Sequence, residues 1–236
     1  REGYRNLCQL VTDAQLRAAK GEGRVRWDEL PERAAGLIAL TGDEEGAFHR
    51  GWQSAGERGA AVVLERLERI FGRDAVYLEV QRHLVRGEQR WTSFLADAAG
   101  STGLPLLATN GVCYTTPEVR KVQDVFTCLR EHCRLDEAGR RLSRNGERGV
   151  KGAEEMAALF RDLPEAIANT QRLAERLEFS MENLGYAFPH YPVPKGETMD
   201  SFLHKITWFG AEQRYGSLGP RVKEQLRREG SEEHTS

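Results

Sequence analysis

Side chains of metal-ligand type follow three apolar runs of the sequence. Asp43, in a short acidic run, comes after the first of them and Cys113 after the third. Glu79 and His83 lie at the end of the second. Carboxylate, imidazole and thiolate groups together suit Zn²⁺, and carboxylates also suit harder divalent cations such as Mn²⁺. Each group alone has a simpler interpretation, as a solvated acidic turn, a surface pair or a small buried cysteine, so both interpretations stay open.

The three apolar runs are predicted to be strands of one sheet. They span residues 36–41, 75–80 and 104–108, and glycines flank them. Short, mainly apolar runs are typical of parallel strands that are covered on both faces. Residues 57–71 and 92–99 have helical periodicity, so strands and helices alternate. The sequence therefore predicts an α/β fold with a parallel sheet or barrel, whose ligand sites would lie beyond the carboxyl ends of the strands.

Helices are predicted at the start of the chain and throughout its second half. A domain boundary is expected between Cys133 and Lys151. Residues 179–194 are rich in aromatics and proline and cannot form one continuous helix. Thr198 or Asp200 is a suitable N-cap for the last helix. The last helix is expected to turn Phe202, Leu203, Ile206 and Phe209 to its inner face. The apolar positions that mark the other helices are, in chain order, Tyr4, Leu7 and Val11; Val119, Val122, Val125 or Phe126, and Leu129; Met156, Leu159, Phe160 and Leu163; and Ile167, Leu173, Ala174 and Leu177.

A local group of cations lies within the range of the predicted boundary. Such a group could contact the phosphates of DNA, although charged loops commonly face only water. Both interpretations stay open, because the whole chain is nearly balanced, with 34 Lys and Arg against 36 Asp and Glu. The cations are Arg140, Arg141, Arg144, Arg148 and Lys151.

Composition and motifs exclude several other classes. The chain has 236 residues, 39% of them hydrophobic, which is enough for a substantial core. No apolar run approaches the roughly 20 residues of a membrane span. The four cysteines match no disulfide framework, so a reducing cytoplasm is the expected location. Walker, nucleophile-elbow, His-Glu-x-x-His and paired-aspartate strand motifs are all absent from the sequence.

Both ends of the sequence are expected to be cut. The chain starts at Arg1, without methionine, inside a helical pattern. Residues 231–236 follow an abrupt stop in a charged helix and are predicted to be a non-native tail. We expect an interior piece of a longer protein, with a catalytic centre that can lie outside it.

Four segments resemble, in this order, the PHP domain of bacterial C-family DNA polymerases, the polymerase III alpha subunit group. They are YRNL at 4–7, GLIALTG at 36–42, VYLEVQRH at 76–83 and LLATNGVCY at 106–114. Later segments resemble the junction into the polymerase core. These are QDVFTC at 123–128, LDEAG at 135–139, EEM at 154–156, FPHYPVP at 188–194 and GETMDSFL at 196–203. The segments DEAGRRL and YPVP look most like the error-prone branch of the group.

The resemblance implies an α/β fold consisting of a PHP-type (β/α) barrel that is incomplete at its N-terminus, followed by a mainly α-helical start of the palm and thumb region. Residues 1–135 would be the PHP part and 136–230 the start of the core. The whole protein would add deoxynucleoside triphosphates to primer-template DNA during damage-induced, translesion synthesis. Two Mg²⁺ ions would be held by palm aspartates beyond this chain, so no polymerase catalytic residue is assigned here. A sliding clamp and mutagenesis accessory proteins are the implied partners.

The PHP barrels of relatives can hold a metal cluster that supports exonuclease or phosphoesterase chemistry. The His-x-His motif that supplies its first ligands is absent from this chain, and the relatives' Ala-Thr-Asn-Asp-Val-His-Tyr has Gly111 and Cys113 in place of its Asp and His. Loss of an oxygen ligand and a change from imidazole to thiolate favour a degenerate site and a scaffold role. The alternative for the site is a remodelled Zn²⁺ or Mn²⁺ centre at Asp43, Glu79, His83 and Cys113. The alternatives for the function are an autonomous metal-dependent PHP phosphoesterase or exonuclease and a non-catalytic interaction module.

Overall fold

The structure, a computed structural model, describes residues 2–177, 180 and 191–232. Most of the predicted helix break at 179–194 and the end of the predicted tail at 231–236 lie outside these residues. The chain divides into two compact units between residues 179 and 180. Across the described ranges, no helix is both long and apolar enough to cross a membrane.

The first unit begins with alternating helices and strands and continues with helices. The alternating part consists of α1 (Glu2–Arg17), α2 (Leu30–Arg33), β1 (Ala39–Leu40), α3 (Ala47–Phe71), β2 (Val76–Gln81), α4 (Glu88–Thr102) and β3 (Leu106–Thr109). The helical part consists of α5 (Arg120–Arg130), α6 (Leu135–Ala138), α7 (Ala153–Leu159) and α8 (Pro164–Arg176). The predicted alternation of strands and helices, and the helices after it, are confirmed; the short helices α2 and α6 were not predicted.

The three strands form one parallel sheet in the order β1-β2-β3. Helices α3 and α4 are the crossovers, as parallel neighbours require. Val76, Leu78 and Val80 of the central strand are completely buried. They pack in one core with Leu64 and Leu67 of α3, at positions where the sequence predicts an apolar helix face. The predicted α/β fold with a parallel sheet is confirmed.

Helix α8 covers the open edge of β3. The side chains of Asn169 and Thr170 donate hydrogen bonds of 2.8 Å to the carbonyl oxygens of Leu106 and Ala108. Covering an edge strand in this way removes an exposed row of backbone acceptors. Helix α8 therefore packs directly on the sheet.

The predicted helix at the start of the chain is present as α1, but the apolar residues that mark it in the sequence do not form its buried face. Tyr4, Leu7 and Val11 are exposed, whereas Gly3, Asn6, Leu10 and Ala14 are buried. A Cβ atom at Gly3 would lie only 1.9 Å from the carbonyl oxygen of Gly36, so the backbones touch where a larger side chain cannot fit. Asn6 donates to the carbonyl oxygen of Ala35 at 2.8 Å. The buried face of this helix therefore combines close backbone packing at Gly3 and a hydrogen bond from Asn6 with the apolar residues Leu10 and Ala14.

The second unit contains α9 (Met199–Tyr215) and α10 (Pro220–Glu232). The predicted cap is confirmed for Thr198, whose hydroxyl accepts a hydrogen bond from the amide of Ser201 at 3.1 Å. The predicted inner face of α9 is wrong for Leu203, Ile206 and Phe209, which are all exposed.

Candidate site at the carboxyl edge of the sheet

The predicted ligand residues follow the strand ends at one edge of the sheet. Val80 and Gln81 pair with Ala108 and Thr109, so β2 and β3 end level with each other. The hydroxyl of Thr41, just after β1, accepts a hydrogen bond from the amide of Glu79 at 2.9 Å. This arrangement places the ends of the three strands side by side.

Glu79 is buried within the sheet and is held by its neighbours. Its carboxylate accepts hydrogen bonds from the hydroxyl of Thr109 and from the side-chain amide of Gln81, the latter at 2.8 Å. Two donors stabilise a buried carboxylate without a metal ion. Glu79 therefore acts as a cross-strand hydrogen-bond acceptor.

His83 is buried, and each nitrogen of its ring faces an oxygen atom of the protein. The Nε2 atom lies 3.0 Å from the carbonyl oxygen of Asn110, an acceptor that requires the hydrogen to be on Nε2. The Nδ1 atom lies 4.0 Å from a carboxylate oxygen of Glu88. That carboxylate also accepts from the amides of His83 and Leu84, at 2.6 and 3.0 Å. The imidazole thus joins the ends of β2 and β3.

Asp43 is paired with a guanidinium. Its Oδ2 atom lies 3.5 Å from Nη1 of Arg148, and the Oε1 atom of Glu44 lies 3.6 Å from Nη2. The other carboxylate oxygen of Asp43 accepts from the amide of Glu45 at 2.9 Å. A cation from the chain itself therefore faces the first candidate ligand.

Cys113 is exposed beside the same arginine. Its thiol lies 3.5 Å from the carbonyl oxygen of Gly111, and its amide donates to the carbonyl oxygen of Arg148 at 2.9 Å. Gly111 has a φ of 51°, which favours glycine. The segment in which relatives carry the Asp and His ligands, and this chain carries Gly111 and Cys113, thus runs along the backbone of Arg148.

The observed contacts do not fit a metal cluster. In the ranges described above, no three or more His, Cys, Asp and Glu side chains come close enough to one another to hold an ion. The predicted ligands share one edge, but Asp43, Glu79 and His83 each have a partner within the protein.

The edge is closed by residues 142–151, which we call the edge loop. Asn110 donates to the carbonyl oxygens of Glu147 and Gly149, at 3.1 and 2.6 Å. Asn145 donates to the carbonyl oxygen of His83 at 2.5 Å. The amide of Val150 donates to the carbonyl oxygen of Tyr114 at 3.1 Å. Sequence reasoning missed the roles of Asn110 and Asn145, although the turn-forming pair Asn145-Gly146 indicates a structured loop.

The structure divides the predicted DNA-contacting cations into two groups. Arg148 faces Asp43, and the side chain of Lys151 is only 7% exposed, with its ammonium 3.2 Å from the carboxylate of Glu147. Arg140, Arg141 and Arg144 are exposed. Only the second group has the accessibility that phosphate contacts need.

Residues 1–83 match the family model for the PHP domain. The matched range includes β1 and β2 and ends at His83, so it contains three of the four candidate metal ligands.

Across almost its whole length, the chain is similar to proteins named error-prone DNA polymerase. It is 38% identical to the protein from Bradyrhizobium sp. (strain ORS 278) over 236 residues, which cover 97% of this chain and 19% of that protein. It is 34% identical to the Caulobacter vibrioides protein, with 97% and 20% covered, and 35% identical to the Brucella abortus protein, with 97% and 21% covered. The chain spans about a fifth of the length of the curated relatives it matches. The predicted resemblance to the error-prone branch is confirmed.

Proposed function

We propose that this chain is the PHP-domain part and the first core helices of an error-prone DNA-directed DNA polymerase. The similarity over 97% of the chain to proteins of that name carries the proposal. The whole protein would extend a primer on template DNA with deoxynucleoside triphosphates, in the cytoplasm, during repair and translesion synthesis. A sliding clamp and mutagenesis accessory proteins would be its partners.

The polymerase chemistry would lie in residues outside this chain. Divalent ions, proposed to be Mg²⁺ held by palm aspartates, would stabilise the charge that develops on the transferred phosphoryl group. Residues of this chain would contribute a scaffold and part of the DNA surface. The exposed Arg140, Arg141 and Arg144 support phosphate contacts by the segment that we propose as the start of the core, residues 136–230.

Residues 1–135 are proposed to be the PHP part, acting as a scaffold. Hydrogen bonds and an internal ion pair close the edge where a metal would bind, and this closure supports a degenerate site. Because α8 covers β3, the proposed boundary at 135 would separate segments that remain packed together.

Primer extension by the full-length protein tests the proposed function. We expect extension of a labelled primer with Mg²⁺ and all four deoxynucleoside triphosphates on undamaged templates and on templates with an abasic site. The 236-residue chain alone serves as the control and should extend neither. Failure of the purified full-length protein to add any nucleotide would contradict the proposal.

An exonuclease assay tests the alternative of a PHP-type phosphoesterase. The full-length protein is incubated with single-stranded DNA and Mn²⁺ or Zn²⁺, without nucleotides. We expect no release of mononucleotides above that of an Asp43→Asn variant. Activity that Asp43→Asn abolishes would favour the phosphoesterase.

A further inference from the structure

The guanidinium of Arg148 lies among acceptor groups at the carboxyl edge of the sheet. Its two terminal nitrogens are 3.5 and 3.6 Å from the carboxylates of Asp43 and Glu44. The side chain of Arg148 is 20% exposed, so its charge is largely withdrawn from water. A cation in such a place needs nearby anions, and these two carboxylates supply them.

Gly111 leaves the space that the guanidinium needs. A Cβ atom at this position would lie 3.1 Å from Nη1 of Arg148 and 2.6 Å from Oε1 of Gln81. A side chain at residue 111 would therefore displace the end of Gln81 and shift the guanidinium of Arg148 by a few tenths of an ångström. The missing side chain of Gly111 thus leaves the room that the end of Arg148 occupies.

The backbone on both sides of Arg148 is fixed to the sheet edge. Asn110 binds the carbonyl oxygens of residues 147 and 149, and the carbonyl oxygen of Arg148 itself accepts from the amide of Cys113. These contacts leave the arginine stem little freedom to carry its head group elsewhere. The charge is therefore held in position by the loop as well as by the carboxylates.

We propose that Arg148 is the built-in cation of this edge, taking the place of a metal ion and fastening the edge loop to the end of β1. A divalent ion approaching Asp43 would meet the fixed positive charge and would have to separate an ion pair that is already formed. The edge therefore binds no metal, and its two carboxylates serve the packing of the loop. This proposal concerns the sheet edge alone and does not depend on polymerase activity.

Hydrogen–deuterium exchange of the full-length protein tests the fastening. Arg148→Met removes the charge and keeps an apolar stem, and Arg144→Met, at an exposed position of the same loop, is the matched control. We expect the amides of Cys113 and Val150 to exchange about tenfold faster in Arg148→Met and at the wild-type rate in Arg144→Met. Equal exchange in the two variants would overturn the proposal.

A double-mutant cycle separates the ion pair from general damage to the loop. Asp43→Asn combined with Glu44→Gln should accelerate exchange to a similar degree, and adding Arg148→Met should cause little further change. Additive effects would show that the charges act independently. If Arg148→Met fails to fold, Arg148→Gln, which also removes the charge but keeps a polar end, takes its place in the same cycle.

Metal content gives a third, independent result. The full-length protein and its Asp43→Asn variant are dialysed against Zn²⁺ or Mn²⁺, and bound metal is measured per protein molecule. We expect the same metal content in both, because the sheet edge binds no metal. Metal bound elsewhere in the protein contributes equally to both and cancels in the comparison. One equivalent of metal in the wild type that Asp43→Asn removes would overturn the proposal.

Discussion

Arg82, just after β2, fastens the turn after α7 to the sheet. Its guanidinium forms a two-pronged ion pair with Asp162 and donates to the carbonyl oxygen of Leu159 at 2.8 Å. It also lies over the ring of Phe160, 5.0 Å from the ring centre. The side chain of Arg82 therefore connects the end of β2 to three residues of the turn after α7, namely Leu159, Phe160 and Asp162.

The Asp162 carboxylate should make stability depend on pH. The guanidinium of Arg82 lowers the pKa of Asp162, because it donates hydrogen bonds to the ionised form. A lowered folded-state pKa gives stability that is fully present above the unfolded value, about 3.9, and is lost as the pH falls through the folded value. We expect Asp162→Asn to be less stable than wild type at pH 7, with the difference vanishing in acid. Urea unfolding across pH 2–7 measures this. The exposed Asp136→Asn serves as the control and should show little difference.

At the residue scale, sequence placed the candidate ligands at the correct edge but did not supply their partners. The strand ends that carry Glu79 and His83 can be identified from local apolar patterns. The partner of Asp43 cannot, because Arg148 is more than one hundred residues away along the chain. Sequence periodicity indicates which residues share a strand or a helix face. The contact between Asp43 and Arg148 depends instead on the path of the edge loop.

At the scale of elements, sequence periodicity identified the helices better than their buried faces. The pattern on α3 is confirmed, because a sheet lies beneath it. The pattern on α5 correctly predicts the helix, yet Val122, Val125, Phe126 and Leu129 are exposed in the described structure. An amphipathic helix shows which face prefers an apolar partner, and only tertiary structure shows whether that partner is present.

Truncation to alanine should have very different effects on stability at two phenylalanines of the helical half. Phe160 is fully buried in the main core, whereas Phe126 is 62% exposed. We expect Phe160→Ala to lower the free energy of unfolding of the chain by about 3–5 kcal/mol. Phe126→Ala should change it by less than about 0.5 kcal/mol. Urea denaturation of both variants makes the comparison, and equal losses would contradict the observed packing of α5.

The covering of β3 by α8 gives a second prediction at this scale. Thr170→Val keeps the shape of the side chain but removes its donor to the carbonyl oxygen of Ala108. The loss should be about 1 kcal/mol in the free energy of unfolding of the chain, since a buried acceptor loses its partner. Gln171→Ala, one residue along on the exposed face, is the control and should be nearly neutral. A Thr170→Val variant as stable as the control would contradict the role of this hydrogen bond.

At the scale of the whole molecule, the division of the cations should appear in the salt dependence of DNA binding. If the proposed function holds, replacing Arg140, Arg141 and Arg144 by alanine removes about three phosphate contacts. A plot of the logarithm of the association constant for primer-template DNA against the logarithm of the salt concentration should then have a slope that is shallower by about 2.7 for the full-length protein. Arg148→Met should leave that slope unchanged, because its charge faces carboxylates. Fluorescence anisotropy over a range of salt concentrations measures both slopes, and a fall with Arg148→Met would contradict this division.

The hydrogen bonds from α8 to β3 also have a consequence during protein synthesis. Asn169 follows Leu106, whose carbonyl oxygen it caps, by 63 residues. At about 5–20 residues per second, the ribosome needs roughly 3–13 s to make this stretch. During that interval the edge of β3 has no α8 to cover it, and an open strand edge can pair with other chains. The sheet is thus most open to wrong partners while the helices that complete it are still being translated.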